Sequence, residues 1–242
     1  MGLTIEDCGV VGAGGGGFPT EAKLKAQVPL VIVNGAECEP LLHKDKELLR
    51  HEAGAMLAGL KTVMDRVGAS EGVVGVKNKY DDVLRALQPV LPAGTRTFPL
   101  SDSYPAGDEF ILVHDVTGRV IPPGGLPKDV GALVVNVETL VNVGHGRPVT
   151  HKYLTVAGAV REPVTLRVPV GTSIGAGKVD AAMVRLDARL ERIEAEQRRA
   201  AEATGAAFVD VRAEARELRK QLDELRLWRA EVDARSRAAG AR

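Results

Sequence analysis

Five glycines fill all but one of the positions from Gly12 to Gly17, in the run Val10-Val11-Gly12-Ala13-Gly14-Gly15-Gly16-Gly17-Phe18-Pro19-Thr20. Such a stretch costs conformational entropy on folding, so it needs a reason. Without a Cβ, backbone N–H groups can approach a phosphate or a flat ring, and a following helix N-terminus adds a favourable dipole. Lys23 supplies a cation at anion-binding distance. Gly12, Gly14 and Gly17 also satisfy the dinucleotide pattern G-x-G-x-x-G, with Glu37 25 residues after Gly12. Scarcely more than Val10-Val11 precedes the loop as a strand, however, and Phe18-Pro19 interrupts the expected helix. A standard dinucleotide fold is therefore the second reading and a flexible linker the third.

A second constellation, Asn34-Gly35-Ala36-Glu37-Cys38-Glu39-Pro40, follows the apolar run Val31-Ile32-Val33. Asn34 offers a donor and an acceptor, as the edge of a flavin ring requires, and Glu37 and Glu39 could accept hydrogen bonds from ribose hydroxyls. Tyr104-Pro105-Ala106-Gly107-Asp108-Glu109 and the group Asn136, Glu138 and Thr139 add further polar residues. Cys38, His43 and Asp45 could supply two or three metal ligands, but their spacing fits no common site, and no nucleophile elbow is present. Neither a catalytic side chain nor a metal centre is expected.

These segments need a scaffold, and the spacing of apolar residues supplies one. Residues 28–33, 72–76 and 132–135 read as buried strands, while 47–67 and 81–91 have helical spacing, with Asp81 placed to cap the second. That alternation predicts an α/β domain with a parallel sheet covered by helices. From Tyr153 to Val170 the pattern changes to short β segments.

Near Gly175 the composition changes. All 13 prolines lie at or before Pro169, and residues 176–242 carry 15 basic and 13 acidic side chains. Two apolar stripes, Val179 to Ile193 and Val211 to Val232, predict a charged helical hairpin or coiled coil able to pair chains into a homo-oligomer. Three domains are thus expected, at 1–149, 150–175 and 176–242. Lys plus Arg and Asp plus Glu balance at 32 each, which argues against nucleic-acid binding. No apolar run reaches the roughly 20 residues of a membrane span. Two cysteines are too few for a self-contained iron–sulfur cluster and point to the cytoplasm.

Gly12–Lys23, Asn34–Asp45, Tyr104–Glu109 and Asn136–Leu140 occur in the order and spacing of a known family. Over about residues 5–175 the chain resembles the FMN-binding domain shared by complex I 51 kDa subunits and RnfC-type subunits. Its wording is most similar to the RnfC branch and, within it, to the cobalamin reductases of propanediol utilisation. Residues 151–173 are similar to the start of the β-grasp (SLBB) domain that follows in that family.

The resemblance implies FMN over the glycine loop, near Gly12, Gly14, Gly15, Gly17, Phe18 and Lys23, with Asn34, Glu37, Asn136 and Thr139 fixing its ring and tail. It implies NADH as electron donor, contacted by Glu39 and Glu109, and an iron–sulfur partner, a quinone or a corrinoid as acceptor. Ala36 stands where the complex I motif is acidic, which weakens the expectation for NADH. The β-grasp segment is cut short after Ser173, and charged helices stand in place of the family's cysteine-rich ferredoxin module. The flavoprotein is accordingly expected in the cytoplasm or peripheral to a membrane complex. The alternative is a truncated, non-catalytic nucleotide-binding scaffold with a helical interaction tail.

Overall fold

A computed structural model describes residues 3–39, 41–158 and 163–172. Within 3–150, β-branched runs form a four-stranded parallel sheet from β1 (Leu30–Gly35), β2 (Glu71–Lys77), β3 (Thr95–Leu100) and β4 (Ala132–Asn136). The spatial order is β3-β2-β1-β4. Successive strands therefore step outward from β1 on one side before the chain returns to β4 on the other. The reversal point lies between β1 and β4, where open α/β sheets leave a crevice at the strands' C-terminal ends. The register puts Asn34 beside Asn136 at that point.

Among the described residues, six α-helices connect and cover the strands: α1 (Thr20–Lys23), α2 (Lys44–His51), α3 (Ala53–Val67), α4 (Asp81–Leu87), α5 (Glu109–Thr117) and α6 (Val137–His145). Val31, Ile32, Val33, Val73, Val74 and Val76 are fully buried in the sheet, and Met56, Leu60 and Val63 of α3 and Leu140 and Val141 of α6 are buried where those two helices pack together. α3 and α6 approach closely because both present glycine. A Cβ on Gly59 would lie 1.9 Å from Leu140 O, and one on Gly144 would lie 1.9 Å from Ala55 O.

The three strands predicted from apolar runs are present, with ends shifted by one or two residues. The helix predicted over 47–67 is two helices. Glu52 leaves helical geometry (φ −123°, ψ 22°), which lets α2 and α3 take separate directions. The helix predicted over 81–91 ends at Leu87, because Pro89 cannot continue it, and a single 3-10 turn follows. Asp81 is its first helical residue and pairs with Arg85 at 2.6 Å rather than capping; Tyr80 holds the cap position. β3 and α5 are additions to the sequence reading. β3 is an edge strand and tolerates Pro99 for that reason.

The short β segments expected after Tyr153 are β5 (His151–Val156) and β6 (Val164–Pro169), a separate two-stranded sheet in which the Thr155 and Thr165 hydroxyls lie 3.0 Å apart. The expected helical hairpin falls outside the described residues. No helix among the described residues is long and apolar enough to cross a membrane.

Candidate functional site

The glycine loop is a short hairpin standing ahead of β1 rather than a strand-to-helix turn. Val11 bridges Pro19, Gly12 N–H donates to Phe18 O (2.8 Å) and Gly17 N–H to Gly12 O (3.2 Å). A four-residue helix, α1, follows. This arrangement does not match the strand–loop–helix unit of the dinucleotide pattern.

The loop is held at its one non-glycine residue. Ala13 N–H donates to the Thr139 hydroxyl (2.9 Å), and the Lys44 ammonium donates to Ala13 O (3.2 Å). Lys44 also bonds Glu138 Oε2 at 2.7 Å and lies 3.2 Å from Asp45 Oδ1. Asn136 Nδ2 donates to Asp45 Oδ2 (2.7 Å), while Asn136 Oδ1 accepts from Glu138 N–H (3.0 Å) and so caps α6. Lys44, Asp45, Glu138 and Asn136 thus form a largely buried polar layer beneath the loop. Burial opposes charge on Lys44, but Asp45 and Glu138 outweigh it and hold the lysine above its ordinary pKa. Burial raises the Asp45 carboxyl against the attraction of Lys44.

A second wall is fixed in the same manner. Asn34 Nδ2 donates to Gly107 O (2.8 Å), and Gly107 N–H approaches Cys38 Sγ at 2.8 Å. A Cβ on Gly107 would lie 2.9 Å from that sulfur and 3.0 Å from Ala36 Cβ, so glycine is required there. Asp108 then caps α5, accepting from Phe110 N–H (2.9 Å), which sets Glu109 at the first turn.

Between the walls is a cleft of about 660 Å³. Gly12, Gly14, Gly16, Phe18, Lys23, Asn34, Glu109, Asn136 and Thr139 line it, so the structure gathers most of the residues singled out in the sequence. Gly15 and Gly17 belong to the same loop but not to the lining. Lys23 is half-buried and makes no ion pair among the described residues; burial lowers its pKa, opposed by Glu109. Glu37 is engaged elsewhere. It adopts φ 44°, and its carboxylate accepts from Asp45 N–H (2.8 Å) and Lys46 N–H (3.1 Å) in place of a local cap on α2. Burial raises its pKa against those bonds. Glu39 is exposed and outside the lining.

Thr20, Lys25, Lys128 and Lys44 are additions to the sequence reading, while Glu138, expected there only as a further polar residue, is the partner of Lys44. Thr20 lines the cleft at 3% exposure, and its hydroxyl has no hydrogen-bond partner among the described residues. The Lys44-Asp45 pair ends the Asn34–Asp45 segment of the family resemblance, but nothing in the chain order places it under the glycine loop. Asp45 serves Lys44 and Asn136, and the described residues contain no group of three side chains able to hold a metal.

A family model described as the Nuo51 FMN-binding domain matches residues 5–145. The cobalamin reductase PduS of Citrobacter freundii is 46% identical over 174 residues, which span 70% of this chain and 39% of that protein. A component of the Na(+)-translocating ferredoxin:NAD(+) oxidoreductase complex of Acetobacterium woodii is 37% identical over 178 residues, 69% of this chain and 40% of that protein. A chain of the crystal structure of an NAD+-reducing NiFe hydrogenase superposes with a TM-score of 0.62 at 26% identity, over 71% of this chain and 36% of that one. The chain thus spans about two fifths of the length of the curated relatives it matches.

Proposed function

Since the chain belongs to the family of the Nuo51 FMN-binding domain, we propose that its cleft binds FMN and that the protein is an electron-transfer component. In this role it accepts hydride from NADH and passes electrons to an iron–sulfur partner or a corrinoid. The observation that carries this reading is the glycine loop at the β1/β4 reversal point, pinned through Ala13 yet open along Gly15 and Gly16, where an added Cβ would meet nothing within 4 Å.

The residues present fit such a cofactor. The cleft volume of about 660 Å³ lies inside the ~300–1,000 Å³ range of small-molecule sites. Lys23, with no ion pair among the described residues, and the Thr20 hydroxyl, with no hydrogen-bond partner among them, suit a polar, anionic ligand. A buried hydroxyl without a partner costs about 1–3 kcal/mol, which a ligand atom would recover. FMN bound there would supply the conversion of a two-electron hydride into single-electron steps.

Each protein group then acts by position. Gly12, Gly14 and Gly16 let the loop backbone face the ligand, Lys23 balances its negative charge, and Asn34 and Asn136 stand side by side at the strand ends. Asn136 spends both side-chain ends on Asp45 and Glu138, so it and Thr139 hold the cradle as much as they face the ligand. Glu109 presents a carboxylate on the opposite wall, where it would meet the nicotinamide nucleotide. Glu37 acts from beneath, by fixing α2 and hence Lys44. The SLBB-like role of β5 and β6 and a docking or dimerising role for residues 176–242 belong to the same proposal.

The test is anaerobic addition of NADH to the FMN-loaded chain. Loss of the visible flavin absorbance, restored by ferricyanide, is the expected result. A flavin band that NADH leaves oxidised would remove NADH as the donor, and a chain that takes up no FMN would favour a non-catalytic scaffold.

A further inference from the structure

The cleft extends beyond the strand ends. Its lining includes every residue of β4 from Asn136 back to Ala132, together with Leu24, Lys25 and Ala26 after α1 and Leu126, Pro127 and Lys128 ahead of β4. Five residues of strand at ~3.3 Å each span about 13 Å from first to last Cα. The register pairs Ala132 with Leu30 at the start of β1, so Lys25 and Lys128 both precede strand starts. Both thus sit on the segments that lead into strand starts, here called the lower end of the cleft. The rule that ligands sit at strand C-termini does not account for a cleft that runs down the whole free side of an edge strand.

Charge distinguishes the lining as a whole. Three lysines, Lys23, Lys25 and Lys128, line the cleft against a single carboxylate, Glu109. The acids nearest the two lower lysines in sequence are turned to other work. Glu21 pairs with Arg66, and Asp129 Oδ2 accepts from Leu126 N–H (2.8 Å) to close the turn ahead of β4. Neither Lys25 nor Lys128 forms an ion pair among the described residues, and both are exposed. Cations left unpaired at one end of an otherwise apolar wall raise the local concentration of anions and favour one that bridges them.

We propose that Lys25 and Lys128 form an anion subsite at the lower end of the cleft, which takes the phosphate-bearing tail of an elongated nucleotide lying along β4. The proposal rests on the nucleotide reading of the cleft but adds residues that the glycine-loop motif does not contain. The phosphate can be carried by the flavin nucleotide or by the nicotinamide dinucleotide, and the two sources are separable.

The subsite is tested first without any nucleotide. Inorganic pyrophosphate is titrated calorimetrically at low ionic strength into the flavin-free chain and into Lys25→Gln, Lys128→Gln and the double variant, with thermal unfolding as the folding control. Saturable binding that weakens several-fold in each single variant and at least tenfold in the double is expected. Equal binding by the double variant, or no saturable binding by the parent chain, overturns the proposal.

The source follows from two ratios. If the flavin phosphate occupies the subsite, the parent's preference for FMN over riboflavin collapses in the double variant while the KM for NADH holds. If the dinucleotide phosphates occupy it, that preference is kept and the KM for NADH rises at least fivefold with kcat unchanged. Retention of both values in the double variant again overturns the proposal. A parent chain that binds pyrophosphate but neither flavin defeats the FMN reading and leaves the subsite standing.

Discussion

Glycine does opposite work in two regions of this molecule. Between α3 and α6, Gly59 and Gly144 are required by packing, because a methyl group on either would penetrate a backbone carbonyl of the facing helix. In the loop at Gly15 and Gly16, a methyl group would meet nothing within 4 Å. The first pair exists to bring two helices together beneath the site. The second exists to keep a surface bare. The fold tolerates the loop because side chains hold it elsewhere, through Ala13 to Lys44 and Thr139, so the entropy that glycine costs is offset without covering the glycines.

The comparison can be broken most severely at the helix contact. Gly59→Ala requires a shift of backbone rather than of a side chain, so it should destabilise by more than the ~3 kcal/mol common for overpacking. Chemical denaturation measures this, and FMN affinity at a temperature where the variant remains folded should be unchanged.

Lys44→Met joins the two regions. It removes the ammonium that bonds both the fully buried Glu138 and Ala13 O. A loss of about 2–3 kcal/mol in stability is expected, since the carboxyl groups can take up protons in part compensation. FMN affinity should fall with it, whereas Gly59→Ala separates the two effects.

Gly16→Ala sharpens the contrast from the other side. Stability should stay within about 0.5 kcal/mol of the parent, while FMN affinity drops at least tenfold, or about 1.4 kcal/mol. Fluorescence titration and thermal unfolding on the same sample decide it. Gly15, at φ 115°, makes a harsher variant, and Gly15→Val should abolish flavin retention while keeping helix content.

The smallest effect is in pH. Lys23 is held below the ordinary lysine value of 10.5 by burial, so its charge is lost earlier on the alkaline side than that of an exposed lysine. A ligand anion favours the charged form, so FMN affinity should weaken as pH rises through that lowered pKa. Lys23→Arg should remove the dependence. An affinity that is flat up to the ordinary lysine range in the parent would detach Lys23 from the ligand.

Much of this contrast was legible before the structure. The apolar runs around Ile32, Val74 and Val134 announce buried parallel strands because strands covered on both faces need no polar alternation. The glycine loop is legible for the opposite reason, since nothing in packing demands five glycines at the surface. Gly59 and Gly144 gave no such signal, because a lone glycine in a helix looks the same whether or not a partner helix presses on it. β3 was hidden by its edge position, where Arg96, Thr97 and Pro99 break the apolar pattern. The Lys44–Glu138 pair and the Asn34–Gly107–Cys38 wall are contacts across 94, 73 and 69 positions of chain, set by strand order and not by local spacing. Glu37 shows what spacing alone leaves open. It sits inside a motif implied to touch the ligand, yet its carboxylate closes the end of α2.

The most direct test of the flavin cleft is an equilibrium titration of FMN into the purified chain, run in parallel with Gly16→Ala and Gly59→Ala and followed by flavin fluorescence. Saturable binding of one FMN per chain, weakened at least tenfold by Gly16→Ala and preserved in folded Gly59→Ala, is the result predicted. FMN binding that Gly16→Ala leaves intact, or that only Gly59→Ala disturbs, would contradict the placement of the cofactor over the open glycines.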